Sequence, residues 1–383
     1  MRSFIRTISR ISPHSLLSGY KGPNRISVPT AIGHLIKVLV KVTQFIHLKY
    51  KVMRINQTIG IDISKLKFDV RIHSNQMFSV FTNNQKGFKE LIKWVRANNP
   101  FSTEETIIVF EHTGLYSFPL ALFLSEQQLA FALVPGLEIK RSLGISRGKD
   151  DKVDATKIAL YGYRLRDEIN PYILPSNEII TMKQLLSLRD RFVKQRAGFK
   201  ASLKEQKIFL LKKNHQILFD TQQKMIGYLT KQINKVDKKL NAIINDNEVL
   251  KNLFTLITSV KGVGAQTALH LIAYTEAFTK FKTWRKFASY CGVAPFPNIS
   301  GTSIRGKTKV SNLANKKIKS LLDLCAKNAI QYNPEMSIFY KRRVEIGKNK
   351  MSTINIIRNK LLSRIFAIVA RKSPYVDIFK YVA

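Results

Sequence analysis

Apolar and polar residues alternate at period two through the stretch "TIGIDISKLKFDVRI", Thr58 to Ile72. Ile59, Ile61 and Ile63 share one face of a first strand. Leu66, Phe68, Val70 and Ile72 share one face of a second, with Lys65, Lys67, Asp69 and Arg71 opposite. "MFSVFTN" predicts a third strand, and Phe88, Leu91, Ile92 and Val95 recur at helical spacing within "NQKGFKELIKWVRANN". The unbroken apolar run Ile107 to Phe110 is the pattern of a centrally buried strand. "PLALFLSEQQ" predicts a short helix, "FALVP" a further strand, and a helix follows from about Asp150 to Arg166. Three strands, helix, strand, helix, strand and helix make an α/β unit with one sheet, assigned to residues 53–172.

Two prolines in "INPYILPSNE" end this unit, because proline interrupts both helices and strand ladders. Residues 173–250 carry no strand signal. Their apolar positions (Leu185, Leu188, Phe192; Ile226, Leu229, Ile233, Val236, Leu240) repeat every three and four, in a basic background. Such a stretch is either a helical hairpin packed on its own domain or a coiled-coil arm for dimerising. The last region, 251–383, opens with "LITSVKGVGAQTALHLIAYT". Gly262 and Gly264 between two apolar helical segments suit a helix-hairpin-helix turn, whose backbone N–H groups, with Lys261 beside them, can approach a phosphate; a plain packing turn is the alternative. A mainly helical, basic remainder follows.

Charge then changes the picture from fold to partner. Among 383 residues, 64 Lys and Arg oppose 25 Asp and Glu, a formal net charge of +39. A charge that large, spread along the chain, calls for a polyanion, so nucleic acid is the expected partner and a membrane surface the weaker one. Lysine or arginine breaks the longest apolar runs, so nothing reads as a membrane span and a soluble, cytoplasmic protein is expected. Cys291 and Cys325 are too few and too isolated for a disulfide framework or a zinc knuckle. Residues 1–52 contain no Asp or Glu, and Met53 reads like the start of a domain; the preceding segment is taken as an extension rather than a transit peptide.

Acids mark the candidate chemistry. Asp62 points away from the isoleucine face of its strand, Glu111 follows the apolar run, and "GKDDKVDATKIAL" opens a helix with Asp150, Asp151 and Asp154. Asp151 and Asp154, three apart, share a helix face with β-carbons about 5 to 6 Å apart. Converging carboxylates repel one another unless a cation sits among them, and an oxygen-only set without His or Cys points to Mg²⁺ or Mn²⁺. Asp150 reads best as a helix cap. Four acids on two strands and a late helix match what a two-metal phosphodiester site requires. A second segment, "PFPNISGTSIRGKTKVSNLANKKIKS", holds Ser300 before Gly301 in a basic loop with Arg305, Lys307, Lys309, Lys316, Lys317 and Lys319. A serine hydroxyl needs a base or nearby positive charge to act as a nucleophile.

Taken together, "GIDISK", "FEHTG", "KDDKVDA", "GVGAQTA" and "YCGVAPFPNISGTS" resemble, in order, the motifs of the insertion-sequence 110 family of transposases, DNA recombinases guided by a bridge RNA. The resemblance runs from about Ile55 to about Ile330. It implies a ribonuclease-H-like or RuvC-like first domain in which Asp62, Glu111, Asp151 and Asp154 hold Mg²⁺ or Mn²⁺. It also implies that Ser300 joins covalently to a DNA phosphate. Implied partners are donor and target DNA, a structured guide RNA, and further copies of the chain as a dimer or tetramer; Lys261, Gly262, Gly264, Arg305, Lys307, Lys309, Lys316 and Lys317 are the expected nucleic-acid contacts. His112 departs from the small residue common at its position, the doubled Asp150 and Asp151 leave one register choice that the spacing settles on Asp151, and Ser303 is a rival to Ser300. Two other readings compete: a junction-resolving nuclease in which metal-activated water attacks, and a non-catalytic basic scaffold for structured RNA.

Overall fold

The computed structural model describes residues 54–142, 151–301 and 304–377. The expected N-terminal extension, Asp150 and Ser303 lie outside the described residues, as do the side chains of Asp151 and Arg305. The chain divides into two compact units at Leu174 and Pro175.

The first unit is mixed α/β. Strands β1 (Gln57–Ile63), β2 (Lys67–Ile72), β3 (Phe78–Thr82), β4 (Thr106–Glu111) and β5 (Phe131–Val134) form one sheet in the order β3-β2-β1-β4-β5. β1, β2 and β3 pair antiparallel, whereas β1-β4 and β4-β5 are parallel, as helical crossovers allow. Helices α1 (Gln85–Asn98), α2 (Phe118–Glu126), α3 (Gly136–Ser142) and α4 (Asp151–Arg164) complete it. Asn84 caps α1 by accepting a hydrogen bond from Gly87 N at 3.0 Å.

Both sheet faces are covered. Ile59, Ile61, Ile63, Phe68, Val70 and Ile72 join Phe88, Leu91 and Leu120 in one core. On the other face Ile107, Val109, Ala132 and Val134 pack with Ile158 and Tyr161 of α4. Two expectations are corrected here. Leu66, assigned to the apolar face of the second strand, sits in the turn before β2 and is 77% exposed. Asp69, assigned to a polar face, is 3% exposed, because α4 lies over that side. The short helix α3 carries no period long enough to predict.

The second unit is mainly helical. α5 (Asn177–Phe209) and α6 (Gln216–Asn245) pack along one another as a long hairpin, interrupted only by a 3₁₀ turn, Lys212–Asn214. Ile179, Met182 and Leu186 of α5 and Val236, Leu240 and Ile244 of α6 belong to the same core as the helices that follow. These are α7 (Glu248–Thr258), α8 (Ala265–Thr275), α9 (Trp284–Tyr290), α10 (Lys316–Tyr332), α11 (Pro334–Glu345) and α12 (Lys350–Arg371). Between α9 and α10 stands a two-stranded antiparallel hairpin, β6 (Pro295–Ser300) and β7 (Ile304–Val310), where the sequence suggested only a basic loop. No helix among the described residues is long and apolar enough to cross a membrane. Cys291 and Cys325 are free and buried, and burial pushes both thiols up.

Candidate functional site

The acids of the first unit are placed by the sheet. Asp62 follows Ile61, and Ile61 pairs with Phe110 in the parallel ladder of β1 and β4; Glu111 follows Phe110. The two acids therefore occupy equivalent positions just past the last pair of the β1–β4 ladder, on neighbouring strands that lie about 4.8 Å apart. Their faces agree as well. Asp62 alternates with Ile61 and Ile63, so it lies on the side of Gly60 and Thr58, and Glu111 lies on the side of Val109 and Ile107.

That side belongs to α4. Thr58 Oγ1 donates to Ala159 O at 2.8 Å, and a β-carbon on Gly60 would come 2.2 Å from Ala159 N and 2.4 Å from Ala155 O. Only glycine lets the helix backbone approach the strand this closely. Moving along β1 from Thr58 to Gly60 steps back along α4 from Gly162 and Ala159 to Ala155, so helix and strand run in opposite senses. One further step brings the level of Asp62 to the first turn of α4, where Asp151 and Asp154 stand. Asp154 accepts from Lys157 Nζ at 3.0 Å.

Two residues join this end of the sheet that the sequence pattern did not single out. Asp69 is the cross-strand partner of Asp62 in the antiparallel ladder, and Lys67 Nζ lies 3.5 Å from its Oδ2. Gly136, the first residue of α3, lies so close to Glu111 that a β-carbon there would come 2.0 Å from Oε1. The donor chemistry of Asp62, Glu111 and Asp154 fits a hard divalent cation. Among the described residues, no three His, Cys, Asp or Glu side chains stand close enough together to hold one, and the Asp151 carboxylate lies outside the description. His112 is exposed, its backbone N–H bonded to Val134 O at 3.0 Å.

In the second unit, Ser300 is the last residue of β6, paired with Ile304 across a turn in which Gly301 has φ +55°. The whole of β6 is exposed, as are Lys307 and Lys309 on β7. Asn355 and Asn359 of α12 both donate to Val293 O at 2.9 Å, fixing the first foot of the hairpin, while Asn315 N donates to Tyr290 O at the second. In the turn between α7 and α8, Gly262 has φ +94° and a β-carbon on it would meet Ala329 at 2.8 Å, so packing alone already requires glycine here. Gly264 is the N-cap of α8 and Lys261 pairs with Asp377. Lys316 is exposed, whereas Lys317 is ion-paired with Asp190 at 2.6 Å.

Comparison with known proteins decides the family. A transposase model built for the DEDD domain of IS110 elements matches residues 59–210, and the model described as "Transposase IS116/IS110/IS902 family" matches residues 254–341. The chain belongs to the IS110 family of transposases. It is 29% identical over 325 residues to the pilin gene-inverting protein of Moraxella bovis, spanning 83% of this chain and 97% of that one. The pilin gene-inverting protein of Moraxella lacunata matches equally. The insertion element IS110 uncharacterized 43.6 kDa protein of Streptomyces coelicolor is 28% identical over 134 residues, 35% of this chain and 32% of that one. The first match covers the unit that carries the acids and runs on through α5 of the second unit, the other covers the region that carries the serine, and this transposase acts on DNA.

Proposed function

We propose that this transposase cuts and rejoins DNA by transesterification, with Ser300 as nucleophile and Asp62, Glu111, Asp151 and Asp154 as the acid set of a RuvC-like domain, guided by a structured bridge RNA. The observation that carries the reading is the placement of Asp62 and Glu111 at the ends of adjacent parallel strands, on the face occupied by α4. The strand order β3-β2-β1-β4-β5 is the one a ribonuclease-H-like sheet has. The named activity of the Moraxella relatives, inverting a gene, also supports it, since inversion must reseal every strand it opens and a hydrolytic nuclease discards the energy needed for that.

In this reading Ser300 Oγ attacks a DNA phosphorus as its proton passes to solvent. The bond from phosphorus to one sugar oxygen breaks, and the sugar leaves as a free hydroxyl. A hydroxyl from the exchanged strand later attacks the phosphoserine and releases Ser300, so no cofactor energy is consumed. Mg²⁺ or Mn²⁺, when bound by the four acids, supplies positive charge that offsets negative charge developing on phosphate oxygens. Lys307, Lys309 and Arg305 on the serine hairpin, with Lys316 and the turn at Lys261, Gly262 and Gly264, contact the nucleic acid. The basic helical hairpin α5–α6 contributes to contacts with RNA and with other copies of the chain.

A suicide DNA substrate tests the proposal. A protein–DNA adduct that disappears in Ser300→Ala is expected; DNA cleavage that survives this change, without an adduct, would instead establish water as the nucleophile.

A further inference from the structure

The end of the sheet that carries Asp62 and Glu111 also carries large apolar side chains that no core claims. Leu66, in the turn after β1, is 77% exposed, and Leu115 and Tyr116, in the loop after β4, are 81% and 44% exposed. One residue ties these loops together. Asn83 donates its backbone N–H to Leu66 O at 2.9 Å, and its side-chain amide to Ser64 O at 2.9 Å and Tyr116 O at 3.1 Å. The patch is thus a built feature, fixed across two loops and continuous with the strands that bear the acids.

Its size and charge select the occupant. Three side chains present far less surface than the roughly 800 Å² per partner of a stable protein interface. The segments Ser64–Lys67, Asn83–Lys86 and His112–Ser117 contain no acid; Lys65 is exposed in the same turn as Leu66, and Lys86, also exposed, lies 4.0 Å from Glu90. A small apolar surface with the exposed Lys65 in its own turn, next to acids that in the proposed reading hold a divalent cation, suits a flat, uncharged ring attached to a phosphate chain. We propose that Leu66, Leu115 and Tyr116 form a rim that receives an unstacked nucleobase of the DNA strand lying at the acid set. The assignment rests on the proposed role of Asp62 and Glu111. It makes the transposase selective for DNA whose bases are already unpaired, or readily unpaired, next to the scissile phosphate.

The test is fluorescence anisotropy of the full chain, in metal-free buffer so that no cutting occurs, with a matched duplex and the same duplex carrying a short run of central mismatches. The wild type is expected to bind the mismatched probe more tightly, roughly fivefold or more. Leu66→Ser, Leu115→Ser and Tyr116→Ser should lose that preference while keeping their affinity for the matched duplex, and Tyr116→Phe should retain it. A wild type with no preference, variants that weaken both probes equally, or variants that change the molar mass of the protein in solution would each overturn the rim. Asp62→Asn separates the two proposals: it should keep the mismatch preference and lose metal-dependent cutting, and full cutting by this variant would overturn the acid site while leaving the anisotropy result to stand on its own.

Discussion

Asp62 and Asp69 face one another as cross-strand partners in the antiparallel ladder of β1 and β2, two carboxylates on one sheet face with Asp69 almost wholly buried. Like charges placed directly opposite cost stability, on the order of 0.2 to 1 kcal/mol, and a divalent cation nearby reverses that sign. Mg²⁺ is therefore expected to raise the thermal midpoint of the wild type, and to raise that of Asp62→Asn markedly less. A midpoint that responds equally to Mg²⁺ in wild type and Asp62→Asn would remove Asp62 from the metal set.

Glu111 and Gly136 provide a second check that does not alter an acid. A methyl at residue 136 would collide with the Glu111 carboxylate, the movable end of a flexible side chain, so Gly136→Ala should fold normally and displace the carboxylate. The expected result is a thermal midpoint within a few degrees of wild type and a loss of metal-dependent cutting of at least about tenfold. Gly60→Ala should behave in the opposite way, because its methyl would meet the backbone of Ala155 and Ala159, which cannot step aside. That variant should lose stability by a few kcal/mol, on the scale of overpacked cores, as read by urea denaturation.

Much of this arrangement is legible in the sequence, and what is not has identifiable causes. The alternation through Ile59, Ile61 and Ile63 places Asp62 on the opposite face, and the unbroken apolar run before Glu111 marks a central strand covered on both faces. Asp69 escaped because the pattern cannot tell a solvent face from one covered by a helix far along the chain. Leu66 escaped because alternation continues through a turn as readily as through a strand. The role of Gly136 is invisible without the fold, since its neighbour Glu111 is brought to it by the parallel pairing of β4 and β5. The serine hairpin was missed for another reason: all of β6 is exposed, so nothing forces apolar residues onto one face.

Asn355 and Asn359 hold Val293 O, the first foot of the hairpin that carries Ser300, and Arg358 extends the chain of polar contacts to Asp323 on α10. A two-stranded hairpin without its own core owes its position to such anchors. Asn359→Asp keeps the volume but removes the donor, so it should slow formation of the protein–DNA adduct by about tenfold, in line with misplacement of a reacting group by less than an ångström. DNA affinity, measured with a matched duplex, should stay within about twofold, because the lysines of the hairpin are unchanged. Equal losses in affinity and in adduct formation would assign these asparagines to general stability.

His270 is buried on α8, with Nδ1 2.8 Å from Gln266 O and Nε2 3.7 Å from Asp190 Oδ2, while Lys317 from α10 holds the other Asp190 oxygen at 2.6 Å. Burial lowers the imidazole below its ordinary value of 6.5, opposed by the Gln266 carbonyl and by Asp190, with Lys317 adding to the lowering. A histidine whose folded value is depressed binds protons more readily when unfolded, so the stability it contributes is present above about pH 6.5 and is lost as pH falls toward the folded value. The urea midpoint of the wild type should therefore decline on acidification from pH 7 to pH 5, and His270→Gln should decline less over the same interval. Because the three residues lie on α5, α8 and α10, hydrogen exchange at low pH should rise first along the α5 segment that carries Asp190. Identical pH profiles for wild type and His270→Gln would assign the acid sensitivity to carboxylates elsewhere in the second unit.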